Sequence, residues 1–161
     1  MISILTREDA AAWREIRLEG LKECPAAFLK SYEDAAQKSV ENYAAQIEKN
    51  SIFVWRDAEG IIAGTLSFFV ESGSNQKHRG HAVAMYVRPA YRGKGIASAL
   101  MEAVITYAKP RVKQIHLGAE TTSDTAVRLY QKYGFEIYGT DHNTVCINGV
   151  FYSDHLMVKM L

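Results

Sequence analysis

The chain has 161 residues, of which 48% are hydrophobic and 23% charged, the balance of a globular unit long enough to bury a core. Its formal net charge of +1 and the lack of a long basic run give no footing for a nucleic-acid backbone. No apolar stretch approaches the roughly 20 residues that span a bilayer and the start lacks a signal-peptide pattern, so no membrane partner is expected and the location is read as cytoplasmic.

Cys24 and Cys146 are the only cysteines; without metal-ligand spacing they read as reduced thiols. His78, His116, His142 and His155 also lack ligand spacing, so no metal site is expected.

In chain order, Ile2 to Leu5 reads as a strand ended by Thr6, a helix N-cap with Asp9 three positions on. A helix then carries Trp13, Ile16, Arg17 and Leu21 at helical spacing and stops before Pro25. Ser39 to about Lys49 predicts a second helix, with Val40, Tyr43, Ala44 and Ile47 on one face. Ile52 to Trp55 and Ile61 to Val70 predict strands joined by the turn Asp57-Ala-Glu-Gly60. Trp13 and Trp55 fall in apolar patterns and are expected in the core.

Glu71 to Gly80 is polar and reads as a loop, and its Lys77-His-Arg79 cluster is taken as solvated, with an acidic ligand as the alternative. His81 to Val87 is a strand, followed by a helix with Ile96, Leu100, Ala103, Val104 and Tyr107 on one face, ended by Pro110. Ile115 to Ala119 is a short strand, Asp124 to Tyr133 a helix, and two strands close the chain. This order argues for an α/β fold in a single domain over residues 1–161.

The richest stretch lies between the fourth strand and its helix. Gly93 and Gly95 let the turn present several N–H groups to one point, and the helix start near Ile96 adds the free N–H groups of Ile96, Ala97 and Ser98 with a partial positive charge. With Arg92 and Lys94 alongside, this is a receptor for phosphate or pyrophosphate. A Walker A loop is excluded because Ile96 follows Gly95. The dinucleotide fingerprint fails because Ser98 stands where its third glycine belongs.

What fits is R-x-x-G-x-A, from Arg92, Gly95 and Ala97, preceded by Val87, Pro89 and Tyr91. Here the chain resembles the GNAT superfamily of N-acetyltransferases. Ala126-Val-Arg-Leu-Tyr-Gln-Lys-Tyr-Gly-Phe135 and Asn148-Gly-Val-Phe-Tyr-Ser-Asp-His-Leu-Met157 are similar to two later segments of that family. The resemblance implies a mixed central sheet of about six to seven strands flanked by helices, acetyl-CoA as cosubstrate, and transfer to a primary amine of a small molecule or peptide. The backbone of Met85, Tyr86 and Val87 would pair with pantetheine and supply an oxyanion donor if the strand bulges or splays. Ser123, Tyr130 and Lys132 complete the implied cofactor contacts; Ser123 replaces the usual Asn with a shorter hydroxyl.

Tyr130 is the candidate acid for the departing thiolate, although its position on an apolar helix face also suits a core residue. The preceding strand has no carboxylate, so His81 at its start and Glu71 at the end of the strand before it are the base candidates. Asp154 and Tyr152 either border the acceptor pocket or cap a hairpin. Pro25-Ala-Ala-Phe28 and Ser31-Tyr-Glu33 resemble the acceptor side of small-molecule members. The cysteines lie outside the matched motifs, which favours direct attack in a ternary complex over a covalent relay. A non-catalytic acyl-CoA-binding module is the rival reading, and the resemblance allows a homodimer.

Overall fold

The computed structural model describes all residues, Met1–Leu161. Seven strands form one sheet: β1 (Ile2–Ile4), β2 (Ser51–Arg56), β3 (Ile62–Val70), β4 (Arg79–Val87), β5 (Gln114–Glu120), β6 (Glu136–Ile147) and β7 (Val150–Met160). Their order is β1-β2-β3-β4-β5-β7-β6. Every neighbour pair is antiparallel except β4 and β5, which run parallel because α4 (Ile96–Ala108) crosses between them. No helix is long and apolar enough to cross a membrane.

Side chains that alternate along the strands build two cores, one on each face of the sheet. Phe53 joins one, with Leu100, Met101 and Val104 of α4. Its neighbours Ile52 and Val54 join the other, with Trp13 and Ile16 of α1 (Ala10–Glu23) and Tyr43 and Ile47 of α3 (Val40–Lys49). β3 is covered on both sides, which is why Ile62 to Phe68 are all buried, Thr65 and Ser67 included. At Gly64 a Cβ would stand 2.9 Å from Ile96 Cγ2. That glycine therefore lets the first turn of α4 rest directly on β3, which fixes where the helix N-terminus lies.

Local chemistry explains most boundaries. The Asp9 carboxylate accepts from the Thr6 N–H at 2.9 Å, but the turn it closes is 3-10 over Arg7–Asp9, and α1 follows. Ser39 caps α3 by accepting from the Asn42 N–H at 3.2 Å. A further helix, α2 (Tyr32–Ala36), was not expected; it is too short for periodicity, although Ser31 caps it through the Asp34 N–H at 3.1 Å. Trp13 is buried as expected, whereas Trp55 is only half-buried, tilted against Tyr91 at 6.4 Å.

Candidate active site

Gly93 and Gly95 have φ of +74° and +78°, and nothing lies within 4 Å of where a Cβ would stand on either. Gly95 caps α4 from the left-handed region. Only glycine takes these angles at no steric cost, and the open side leaves room for a ligand against the backbone. The neighbouring cation is partly engaged within the fold. Arg92 donates to the Val87 carbonyl at 2.9 Å and to Glu23 at 2.7 Å, tying the turn to β4 and α1. Lys94 is exposed, 5.2 Å from the Tyr91 ring centroid, and Tyr91 in turn donates to Asp57 at 2.6 Å.

β4 does bulge. Ser67 pairs with Val83 and Thr65 with Tyr86, so Ala84 and Met85 together oppose Leu66. Ala84 sits at φ +60°, an uncommon conformation for a residue with a Cβ. β4 also splays from β5. Their pairing covers only Arg79 to His81 against Gln114 to His116, and the remaining lengths diverge with their facing edges unpaired. The wedge between them is a cavity of about 220 Å³ walled by Ala82 to Val87 on one side and Leu117 to Glu120 on the other. A second cavity of about 500 Å³ continues from it along Met85, Val87 and Arg92 to Gly93, Gly95 and Ala97.

Tyr130 of α5 (Asp124–Lys132) lines both cavities. Burial alone pushes its phenol up to about 12. It also packs edge-on against Phe135 at 6.1 Å, so it belongs to the core and to the cavity wall at once. Ser123 lines both cavities and makes no capping bond to α5. Cys24, expected away from the motifs, also lines both. Its thiol is pushed up by burial and then by Glu23, which keeps it protonated and a poor nucleophile.

Several expected residues lie elsewhere. Ser98 and Lys132 are in neither cavity lining. Lys132 projects from the exposed end of α5, 5.7 Å from the Tyr133 ring centroid, although its motif position matches. Lys77, His78 and Arg79 lie at the opposite end of β4 from the glycine turn. The base candidates are together but outside both linings. His81 Nε2 lies 2.7 Å from Glu71 Oε1 without hydrogen-bond alignment. The His81 ring stacks on Phe69 at 4.9 Å, where the wedge closes.

A carboxylate overlooked in the sequence does line the wedge. Glu120 ends β5, one residue beyond the strand read from the pattern. Its Oε2 accepts from the Thr122 N–H at 3.0 Å and hydroxyl at 2.6 Å, while Oε1 is buried without a partner. Register places Glu120 beside Asp154 and Asp154 beside Asp141, a row of carboxylates across β5, β7 and β6. Burial first, then Glu120 and Asp141, push the Asp154 carboxyl above its ordinary range. Asp154 thus stands one strand away from the wedge, beside Glu120, whereas Tyr152 pairs with Val145 in the hairpin.

Parallel strands that splay over a glycine turn at a helix start make a scaffold for a phosphate-bearing ligand. The chain belongs to the acetyltransferase (GNAT) family, whose sequence profile matches residues 13–135. It is 29% identical over 104 residues to the L-amino acid N-acetyltransferase AaaT of Escherichia coli; the match covers 63% of this chain and 64% of that relative. The fold is shared with a GNAT-family acetyltransferase of Streptococcus pneumoniae, at a TM-score of 0.87 and 22% identity, covering 100% of this chain and 99% of that one. It is shared equally with yncA of Salmonella typhimurium, solved with its cofactor acetyl-CoA, at a TM-score of 0.86 and 21% identity, covering 100% and 93%.

Proposed function

We propose that residues 1–161 act as one catalytic unit that transfers the acetyl group of acetyl-CoA to a primary amine by direct attack. The observation that carries this reading is the continuous cavity from the Gly93–Gly95 turn, along the unpaired edge of β4, to the bulge at Ala84 and Tyr130. Acetyl-CoA supplies an activated thioester. The turn and the first N–H groups of α4 suit its diphosphate, and the open edge of β4 suits its amides. Backbone N–H groups at the bulge are poised to receive negative charge on a carbonyl oxygen.

Glu120 is the proton acceptor for the amine, because the residue lines the wedge and its Oε1 has no other partner. The acidic row favours an ammonium entering the site. Tyr130 assists the departing sulfur. With its phenol near 12, it stabilises that sulfur by donating a hydrogen bond, and complete proton transfer requires the dry cavity to raise the basicity of the thiolate as well. The protonated Cys24 favours direct attack over a relay. Against a purely binding role stand two groups such a module has no use for, the Tyr130 hydroxyl and the Glu120 carboxylate.

The test has two parts. Calorimetry compares acetyl-CoA with ATP, and thiol release is followed with a panel of amino acids, polyamines, aminoglycosides and peptides. Acetyl-CoA is expected to bind at least tenfold more tightly than ATP, with release driven by at least one amine and lowered by Glu120→Gln. Equal binding of ATP overturns the cofactor assignment. Tight acetyl-CoA binding with no release from any amine favours the binding module.

A further inference from the structure

Most cations around α1 are matched within the chain. Arg88 reaches Glu15 at 3.2 Å and Glu19 at 2.9 Å, and Arg92 reaches Glu23 at 2.7 Å. Arg14 donates to the carbonyls of Ala36 and Lys38 at 2.9 and 3.2 Å. Arg17, one turn further along the helix, differs. It is half-buried, and neither a carboxylate nor a carbonyl of the chain takes its guanidinium. Its guanidinium lies 4.8 Å from the Phe28 ring centroid. Burial pulls its pKa below the ordinary arginine range. A cation held partly out of water with no anion opposite carries an uncompensated desolvation penalty, which an arriving anion relieves.

The surroundings of Arg17 indicate which anion. It lines a cavity of about 250 Å³ with Gln46, Asn50 and the buried Ser67. Val83 and Ala84 belong to this cavity and also to the wall of the wedge. Phe28, against which the guanidinium rests, is part of the wedge wall as well. The cation therefore stands beside the bulge, one layer of side chains from the reacting end of the wedge. Glu120 and its acidic row lie across the wedge on β5. A small molecule entering here meets a positive fork on one side and carboxylates on the other.

We propose that Arg17, with the Ser67 hydroxyl beside it, receives a carboxylate carried by the acceptor, which makes the acceptor a free amino acid or a closely similar amino acid-like zwitterion. This rests on the acetyltransferase reading and narrows it. The planar fork of arginine matches two carboxylate oxygens at once. The same molecule's ammonium falls toward Glu120, where it must lose its proton before attack. Arg17 is then a specificity-determining residue, since it touches the acceptor away from the atoms that react.

The test uses matched acceptors: standard L-amino acids and the amines left when their carboxylates are removed. Thiol release should favour the acid of each pair by about 100-fold in kcat/KM, a typical loss when one partner of a buried charge pair is removed. Arg17→Met keeps the stem packed on Phe28; it should erase the preference through KM, with kcat and acetyl-CoA affinity nearly unchanged and the thermal midpoint not lowered. Arg17→Lys should restore part of it. Amines that react as well as their acids, or a preference that survives Arg17→Met, overturn the proposal while leaving acetyl transfer intact. Calorimetry of the same amino acids with the CoA-saturated protein is independent of chemistry. Heat that disappears in Arg17→Met supports the site even if no acceptor turns over, and no heat from any amino acid overturns it.

Discussion

The two halves of the molecule present opposite kinds of recognition surface. The half formed by the end of β4, the glycine turn and the start of α4 offers backbone to a ligand: positive-φ glycines, free helix N–H groups and an unpaired strand edge. On the proposed reading, the half formed by α1, β5 and the β6–β7 hairpin would bind with side chains drawn from distant parts of the chain, among them Arg17 and Glu120. Backbone recognition demands particular residue types at adjacent positions, because only glycine accepts the angles. Side-chain recognition needs only that the fold bring suitable groups together. The first surface is therefore expected to fail through geometry and the second through charge.

The largest effect is expected where the two surfaces meet. Tyr130→Phe removes the hydroxyl proposed to assist the departing sulfur and keeps the ring against Phe135. Its expected cost is about 100-fold in kcat, the scale of a lost transition-state hydrogen bond, with acetyl-CoA affinity unchanged by calorimetry. Undiminished turnover would assign Tyr130 to packing alone. Next comes Gly95→Val, which tests the backbone surface. A β-branched residue at φ +78° is strained by roughly 1–2 kcal/mol and fills the space open to the ligand. Acetyl-CoA affinity should fall at least tenfold while kcat at saturating cofactor changes little; unaltered affinity would remove the turn from the binding site.

The same contrast governs how much was legible in the sequence. The strand into β4, the turn and α4 were readable because their constraint is local: Gly93 and Gly95 announce the angles they adopt, and the spacing of Ile96, Leu100 and Val104 announces the helix face. The bulge was not readable, since Ala84 carries no mark of its +60° φ. Glu120 was missed because β5 read as ending at Ala119, and because its approach to the wedge depends on how far β4 and β5 splay. Cys24 appeared unconnected for a similar reason; only the packing of α1 against β4 brings it to the wall. Lys132 shows the opposite error, in which a motif position matches and the side chain still leaves on the exposed side. A motif locates backbone geometry well and side-chain direction poorly.

The smallest effect concerns the acidic row. Burial and two like-charged neighbours hold the Asp154 carboxyl above its ordinary value of 3.8. The folded chain therefore binds this proton more tightly than the unfolded chain does. The contribution is neutral below the unfolded value and becomes a penalty as pH rises through the folded one. Asp154→Asn removes that penalty. Asp154 is only half-buried, so solvent screening leaves a gain of a few tenths of a kcal/mol at neutral pH, about 1 °C in thermal midpoint for a chain of this size. The gain should shrink on acidification and vanish at about pH 2.5 and below, where Asp154 is protonated in both states. Thermal melts of the two proteins across that range measure it, and a midpoint lowered at neutral pH would mean the row is not mutually repulsive. If the variant gains stability and also raises KM for the amine, the repulsion in the row is kept because it serves acceptor binding, a trade absent from the backbone-built half.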